Sequence, residues 1–376
     1  MVSVTQVEGE YPFLRQNSSS EQSKGDQVPP KGIKTHLYSL GVIPKDNDAC
    51  GGSFTAEDSQ SLLDTFLLSQ WEYHAWRGQL EYDVTACEFK VISGRKKFIV
   101  QLNNRWNAQF LKEFENNFLE PLRFMKSNYM KNCKEEILFC VCQGEKESSE
   151  LLPLTVLPKD GVLIIANGNP VEYGHVYLVP YVSHQLPLFW DRKILGLVTQ
   201  IAVEVNNSSF RVFLDNASTT SGHIHFQANY FANPLPVELF PTISAYEDVL
   251  ITDTQICEVM DYPLKTLVFM SKNLKSLVAL VTKICSTLHS QNTAFNLLIT
   301  DCGTKIYLFP QVKNVTMECQ LFPWECGGYF VCNNEANYEN ISETEISKHL
   351  ASVSLDDGSF KAFKHVCFSI AVNLVD

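Results

Sequence analysis

The 376-residue chain predicts an α+β fold, a mainly antiparallel sheet with helices packed on one face and built from two similar halves. Three observations carry this. Short stretches with apolar residues at every second position alternate with a few whose apolar spacing is near 3.6. The strand candidates come in pairs divided by turns rich in Gly, Asn or Pro. The order hairpin, helix, strand pair occurs twice, an order that suits helices on a single face of a sheet. "VLIIANGNPVEYGHVYLVP" (162–180) and "NLLITDCGTKIYLFP" (296–310) share the pattern apolar strand, Gly turn, apolar strand, Pro, and are read as a degenerate repeat.

From the start of the chain, residues 16–35 are polar and rich in Ser, Gly and Pro, so 1–45 is read as a flexible tail. Residues 46–240 form the first half, and 241–376 the second half with closing helices. "TAEDSQSLLDTFLLSQWEYHAWRGQL" (55–80) predicts a helix capped by Thr55 or Ser53, with Leu62, Leu63, Phe66, Leu67 and Trp71 as its apolar stripe. "EYDVTACEFKVI" and "KKFIVQLN" form a hairpin around "SGRK". The stretch 104–136 is partly helical, and "ILFCVCQ" (137–143) returns to strand. "RKILGLVTQIAVEV" (192–205) and "LKSLVALVTKICSTLHSQ" (274–291) have helical spacing, and residues 342–374 supply one or two final helices.

Bulk properties exclude several classes. Forty-two acidic against 30 basic residues, a net charge of −12, oppose a nucleic-acid footprint but leave room for a small phosphate ligand. The N-terminal stretch lacks the apolar core of a secretory signal, and no run approaches the ~18 apolar residues of a membrane span. The 12 cysteines are scattered, which suits reduced thiols in the cytoplasm or nucleus. Cys140 and Cys142 are two apart with no partner pair, so no metal or other cofactor is expected.

The chemistry concentrates in "SGHIHFQANYF" (221–231). In an extended chain His223, His225 and Gln227 share one face, and Ile224, Phe226 and Ala228 the other. A neutral imidazole can attack phosphorus, and an uncharged amide beside it can donate to a phosphate oxygen without repelling an anion. The plainer reading is an ordinary polar strand face.

"HIHFQ" resembles the H-x-H-x-Q signature of the galactose-1-phosphate uridylyltransferase branch of the histidine-triad superfamily, and "NPVEYGHVYLVP" is similar to the hairpin that precedes it. "YDVTACEFKVI", "FIVQLN", "PLPVE" and "FNLLITDCGTKIYLFPQ" look like the GDP-L-galactose phosphorylases and, less closely, the GDP-D-glucose phosphorylases, over about residues 70–376. The resemblance implies a histidine-triad-like sheet in two halves, the first catalytic. It implies phosphorolysis of a GDP-hexose by inorganic phosphate through a guanylyl-histidine. His225 would be the nucleophile, Gln227 would steady the phosphoryl oxygens, and His223 would support the loop.

Asn167, Asn169, His175, Arg211 and Gly222 are candidates for nucleotide or phosphate binding; for His175 a backbone-bonded turn, and for Arg211 an ion pair with a carboxylate, are the favoured readings. GDP-hexose and phosphate are the expected partners, and a homodimer is compatible with the reading. The chain departs from the family pattern in "LDNASTTSG" (214–222), in Gly222 where the family has Asn, in "NGNP" and around 105–130. A catalytically weak nucleotide-binding or interaction module, a GDP-D-glucose phosphorylase and a hydrolase using water as acceptor are therefore the alternatives.

Overall fold

A computed structural model describes residues 36–42, 61–122, 136–188, 190–217, 223–246, 253–312 and 321–374. In chain order the first part holds β1 (His36–Leu40), α1 (Leu62–Trp76), β2 (Glu88–Val91) and β3 (Ile99–Leu102). Next comes α2 (Phe110–Phe114), which widens into a π-helical turn (Glu115–Leu119) and ends as Glu120–Leu122. Then follow β4 (Ile137–Gln143), β5 (Glu150–Pro153), β6 (Gly161–Ala166), β7 (Tyr173–Tyr181), α3 (Arg192–Val205), β8 (Phe210–Asp215) and β9 (Phe226–Tyr230). The second part holds β10 (Thr242–Ser244), β11 (Gln255–Val259), β12 (Leu267–Met270), α4 (Leu274–Ser290), β13 (Ala294–Thr300) and β14 (Lys305–Gln311). It closes with α5 (Pro323–Cys326), β15 (Tyr329–Cys332), α6 (Glu335–Asn340), α7 (Glu343–Val353) and α8 (Asp357–Val372).

Twelve of the described strands form one sheet in the order β10-β11-β12-β14-β13-β8-β9-β7-β6-β4-β1-β5. All its pairings are antiparallel except β1 with β4. The α+β reading with an antiparallel sheet in two halves is thus what the chain adopts. The four longest helices, α1, α3, α4 and α8, pack on one face over Val176, Phe226, Ala228, Val212, Leu297 and Leu308. The opposite face carries shorter elements: the α2 segment over β6 and β7, and α5, α7 and the small sheet β15-β3-β2 over β8, β13 and β14.

The two halves meet at β8 and β13, which pair antiparallel with Leu297 opposite Leu214. The order reads outward alike from that seam: β8, β9, β7, β6 one way and β13, β14, β12, β11 the other. Each half contributes a hairpin, a helix and a second strand pair. The internal likeness therefore equates β13–β14 with β8–β9, both following a helix, and not with β6–β7. The two compared hairpins look alike because any strand pair buried on both faces needs apolar strands around a tight turn.

Two local expectations change. The strand β1 lies inside the stretch read as a flexible tail, while residues 1–35 and 43–45 lie outside the described residues. "HLYSL" carries no period, and its order comes from partners more than 100 residues away on β4 and β5. The first helix starts at Leu62, with the Ser61 side chain accepting from the Asp64 N–H at 2.9 Å, so Thr55 and Ser53 do not cap it. Leu63, Leu67 and Trp71 are its buried stripe, and Leu62 is exposed.

The strand β7 contains a bulge. Tyr173 opposes Tyr230 and Val176 opposes Ala228, so three residue steps on β7 match two on β9. Gly174 supplies the left-handed conformation (φ +67°) that such a bulge requires. A Cβ there would also lie 2.5 Å from Tyr230 Cδ2. Gly174→Ala is expected to lower the unfolding free energy by about 2 kcal/mol or more, measured as a shift of the urea midpoint; an unchanged midpoint would show that the bulge does not need glycine.

Candidate active site

The bulge sets His175 on the sheet face opposite the long helices. Its backbone is held there, because the carbonyl accepts from Trp71 Nε1 at 3.1 Å and from the Asn167 N–H at 3.0 Å. The imidazole is fully buried, and burial pushes its pKa down to about 3, so the ring is neutral. The Val171 N–H donates to Nδ1 at 3.0 Å. Nε2 therefore carries the hydrogen and donates to Gln227 Oε1 at 3.0 Å. With its oxygen so engaged, the Gln227 amide points its NH2 away from His175. That nitrogen is buried and has no partner among the described residues.

The strand β9 begins at Phe226, so His223 and His225 stand on an extended approach just before the ladder. The alternation of faces still holds. Ile224, Phe226 and Ala228 join the core beneath the helices, and His225 and Gln227 face the other way. The His225 Nδ1 lies 3.2 Å from the His223 carbonyl. A hydrogen bond there requires the hydrogen on Nδ1 and leaves the lone pair on Nε2, which has no partner among the described residues. Burial lowers the pKa of His225, the Glu115 carboxylate opposes this, and the His223 ring adds to the lowering. His223 has its Nε2 3.6 Å from Glu120 Oε1.

Beside these groups runs a narrow crevice walled by Trp106, Phe110, Tyr177, Phe322 and Trp324, with Asn167, Asn169, His175 and Gln227 along its floor. Phe322 and Trp324 lie parallel with centroids 5.0 Å apart, and Trp106 meets both edge-on. Flat apolar rings beside convergent amides and imidazoles suit a heteroaromatic base and its phosphates. The second half supplies Phe322 and Trp324. The helix carrying Trp324 is capped by Glu325, whose Oε2 accepts from the Phe322 N–H at 2.8 Å. Burial raises the Glu325 pKa to about 8, against that hydrogen bond.

The imidazole of His225 is 2 % exposed. The rings of Phe114 and Tyr177 stand 6.0 and 6.3 Å from it and stack on each other at 3.7 Å. Phe114 ends α2 where the π-helical turn begins, a helix irregularity often found at functional sites. Attack by Nε2 on a ligand in the crevice needs this segment to shift.

The other candidates divide. Asn167 accepts from the Asn169 N–H at 2.9 Å and holds its amide nitrogen 3.3 Å from both His175 ring nitrogens. Asn169 is spent on holding the Trp106 segment: it accepts from the Asn107 N–H and donates to the Asn107 carbonyl, both at 3.1 Å. Arg211 is buried and pairs with Glu238 through Nε at 2.8 Å and Nη2 at 3.2 Å, away from the crevice. Gly222 lies outside the described residues. Sequence reading missed Trp106, Phe114, Glu115, Phe322 and Trp324; the aromatic run "LFPWEC" was the available signal. Among the described residues no group of three or more His, Cys, Asp or Glu side chains is gathered as a metal site.

With this geometry the chain can be set beside known proteins. The family model "GDPGP1-like, N-terminal domain" matches residues 62–229, and "GDPGP1-like, C-terminal domain" matches 236–374. The chain belongs to the GDPGP1-like family. It is 34 % identical to GDP-L-galactose phosphorylase 1 of Arabidopsis thaliana over 360 residues, 90 % of this chain and 80 % of that protein. To human GDP-D-glucose phosphorylase 1 it is 27 % identical over 256 residues, 64 % of this chain and 62 % of that protein. This GDPGP1-like chain also shares its fold with yeast Ap4A phosphorylase Apa2, solved in complex with AMP. That likeness has a TM-score of 0.52 at 13 % identity and covers 78 % of this chain and 96 % of that one.

The buried neutral His175 makes a signed prediction about the GDPGP1-like fold. Its folded pKa of about 3 is below its unfolded value, so its contribution is full above pH ~6.5 and falls as pH drops toward 3. Relative to the wild type, His175→Gln should make unfolding free energy less pH-dependent between pH 6.5 and 4.5, by up to about 1.4 kcal/mol per pH unit. Urea titrations of both proteins across that window measure it; identical slopes would mean that His175 titrates normally in the fold.

Proposed function

We propose that this protein is a GDP-hexose phosphorylase with GDP-L-galactose as its favoured substrate, converting it with phosphate to L-galactose 1-phosphate and GDP. One observation carries the reading. Two unpartnered buried nitrogens, His225 Nε2 and Gln227 Nε2, lie on one sheet face beside an aromatic crevice, and each is oriented by a hydrogen bond at its other end. The greater identity and coverage of the GDP-L-galactose phosphorylases favour that hexose over the glucose alternative.

In this reading the guanine lies among Trp106, Phe322 and Trp324. The Nε2 lone pair of His225 attacks the α-phosphorus. A P–N bond forms, the bond from the α-phosphorus to the bridging oxygen breaks, and hexose 1-phosphate leaves with that oxygen. A phosphate oxygen then attacks the same phosphorus, the P–N bond breaks, and GDP departs. The His223 carbonyl keeps the hydrogen on Nδ1 in the resting state and takes up the positive character of the ring during attack. Gln227 Nε2 donates to a non-bridging oxygen, as preorganised donors do for developing charge. His175 is a positioning residue that fixes the amide. The catalytic half is proposed as 46–240, with the second half closing the base site. The acidic net charge of −12 argues against a nucleic-acid partner, and the scattered cysteines favour cytoplasm or nucleus.

Incubation with a GDP-sugar labelled at the α-phosphorus, with phosphate left out, should yield an acid-labile guanylyl adduct on His225. His225→Ala should lose the adduct and about a thousandfold or more of the turnover. Binding of GDP without release of hexose 1-phosphate from any GDP-sugar would favour the nucleotide-binding module, a reading that the burial of Nε2 beneath Phe114 supports. His175→Ala should lower kcat by about tenfold to a hundredfold with little change in KM. A change confined to KM would give His175 a binding role instead.

The acid limb of the kcat/KM profile should fall below pH 6.5, because the His225 imidazole is held below its ordinary pKa and attacks only when neutral. A limb centred above pH 6.5 would contradict the buried, neutral nucleophile.

A further inference from the structure

A second cavity, of about 270 Å³, opens on the same sheet face beyond the far end of β8 and β9. It does not belong to the crevice. Phe231, in its wall, is six residues past His225, about 20 Å along an extended chain. Between the two lie the packed rings of Phe213 and Phe231, 5.8 Å apart and buried, with Trp324 against Phe213. A hexose joined through a pyrophosphate to a nucleotide at His225 would stop well short of it.

The buried part of the wall is polar. Arg211 and Tyr307 are each 4 % exposed, and Thr300 is 2 % exposed. The Thr300 hydroxyl has no hydrogen-bond partner among the described residues. A buried hydroxyl without a partner costs free energy, which a ligand that bonds it would recover. At the rim stand Ser208, Asn233 and Asp301, all exposed. Asp301 is presented by a turn in which it, Cys302 and Gly303 all have positive φ (53°, 51° and 82°).

The charges cancel. Arg211 is engaged by Glu238 and by the Ser208 carbonyl at 2.9 Å, and Lys305 pairs with Asp301 at 3.2 Å. No cation is left over for a phosphate, and two carboxylates would repel one. A size just under the roughly 300–1,000 Å³ of small-molecule sites admits a single ring. Carboxylates, an amide and hydroxyls beside the apolar surfaces of Phe231, Tyr307 and Pro234 match the alternating hydroxyl and C–H faces of a sugar.

We propose that this cavity is a second ligand site, separate from the triad, that takes a neutral monosaccharide ring. The test is ligand-observed saturation-transfer NMR on the full chain with L-galactose, D-glucose and D-mannose, against glucose 1-phosphate and inorganic phosphate. At least one neutral sugar should bind saturably, with the signal unchanged by excess GDP and by His225→Ala. Thr300→Val removes only the buried hydroxyl, and Asn233→Ala and Asp301→Asn alter exposed rim groups. Each should weaken binding about fivefold or more with an unchanged melting temperature. The proposal is overturned if no neutral sugar binds, if GDP or His225→Ala abolishes the signal, if the charged ligands bind in preference, or if all three cavity variants bind as the wild type does.

Discussion

A neutral imidazole sealed from water must satisfy two ring nitrogens of opposite character, and His175 does so with one backbone N–H and one side-chain carbonyl. The Val171 N–H fixes the tautomer; the tautomer fixes which end of Gln227 faces the ring; the amide then presents a donor beside His225. Each step is forced by the cost of leaving a buried polar group unpaired. The Gly174 bulge is what aims His175 at this partner, since a regular strand would change the register of β7 against β9. The orientation of the site thus rests on one hydrogen-bonded chain held by backbone.

The second half of the molecule is more than a structural copy. Its sheet continues the first through β13 and β8, and its helix α5 carries Trp324 across that seam. The indole touches His175 and Phe213 edge-on, at 5.9 and 6.4 Å. A side chain of the non-catalytic half therefore packs against the residue that orients Gln227. The parallel strand β15 ties the hairpin β2–β3 to the same region, which brings the Trp106 segment over the crevice.

Burial at His225 has two opposed consequences. It keeps the imidazole neutral and therefore nucleophilic, and it excludes the water that would compete as acceptor. It also covers the reactive nitrogen with Phe114. A π-helical turn next to that ring leaves the covering segment less regularly bonded than the strands below it.

Much of this was written in local pattern. Alternation in "HIHFQ" put His225 and Gln227 on one face because the side-chain period of an extended chain is two wherever it runs. The limits of α3 and α4 follow from a 3.6 spacing, and the glycine before His175 marked a turn in β7. Pairings between distant segments leave no such trace. The order of β1 depends on β4 and β5, and the aromatic wall of the crevice comes from residues more than 200 positions apart, Trp106 and Trp324. The unpartnered nitrogens, the covering ring of Phe114 and the cancelled charges around Arg211 are likewise products of packing. The sequence by itself determined which groups could react and which face of the strand they share; only the tertiary structure decided how they are oriented, what covers them and which are already engaged, because those depend on contacts between elements that no local period encodes.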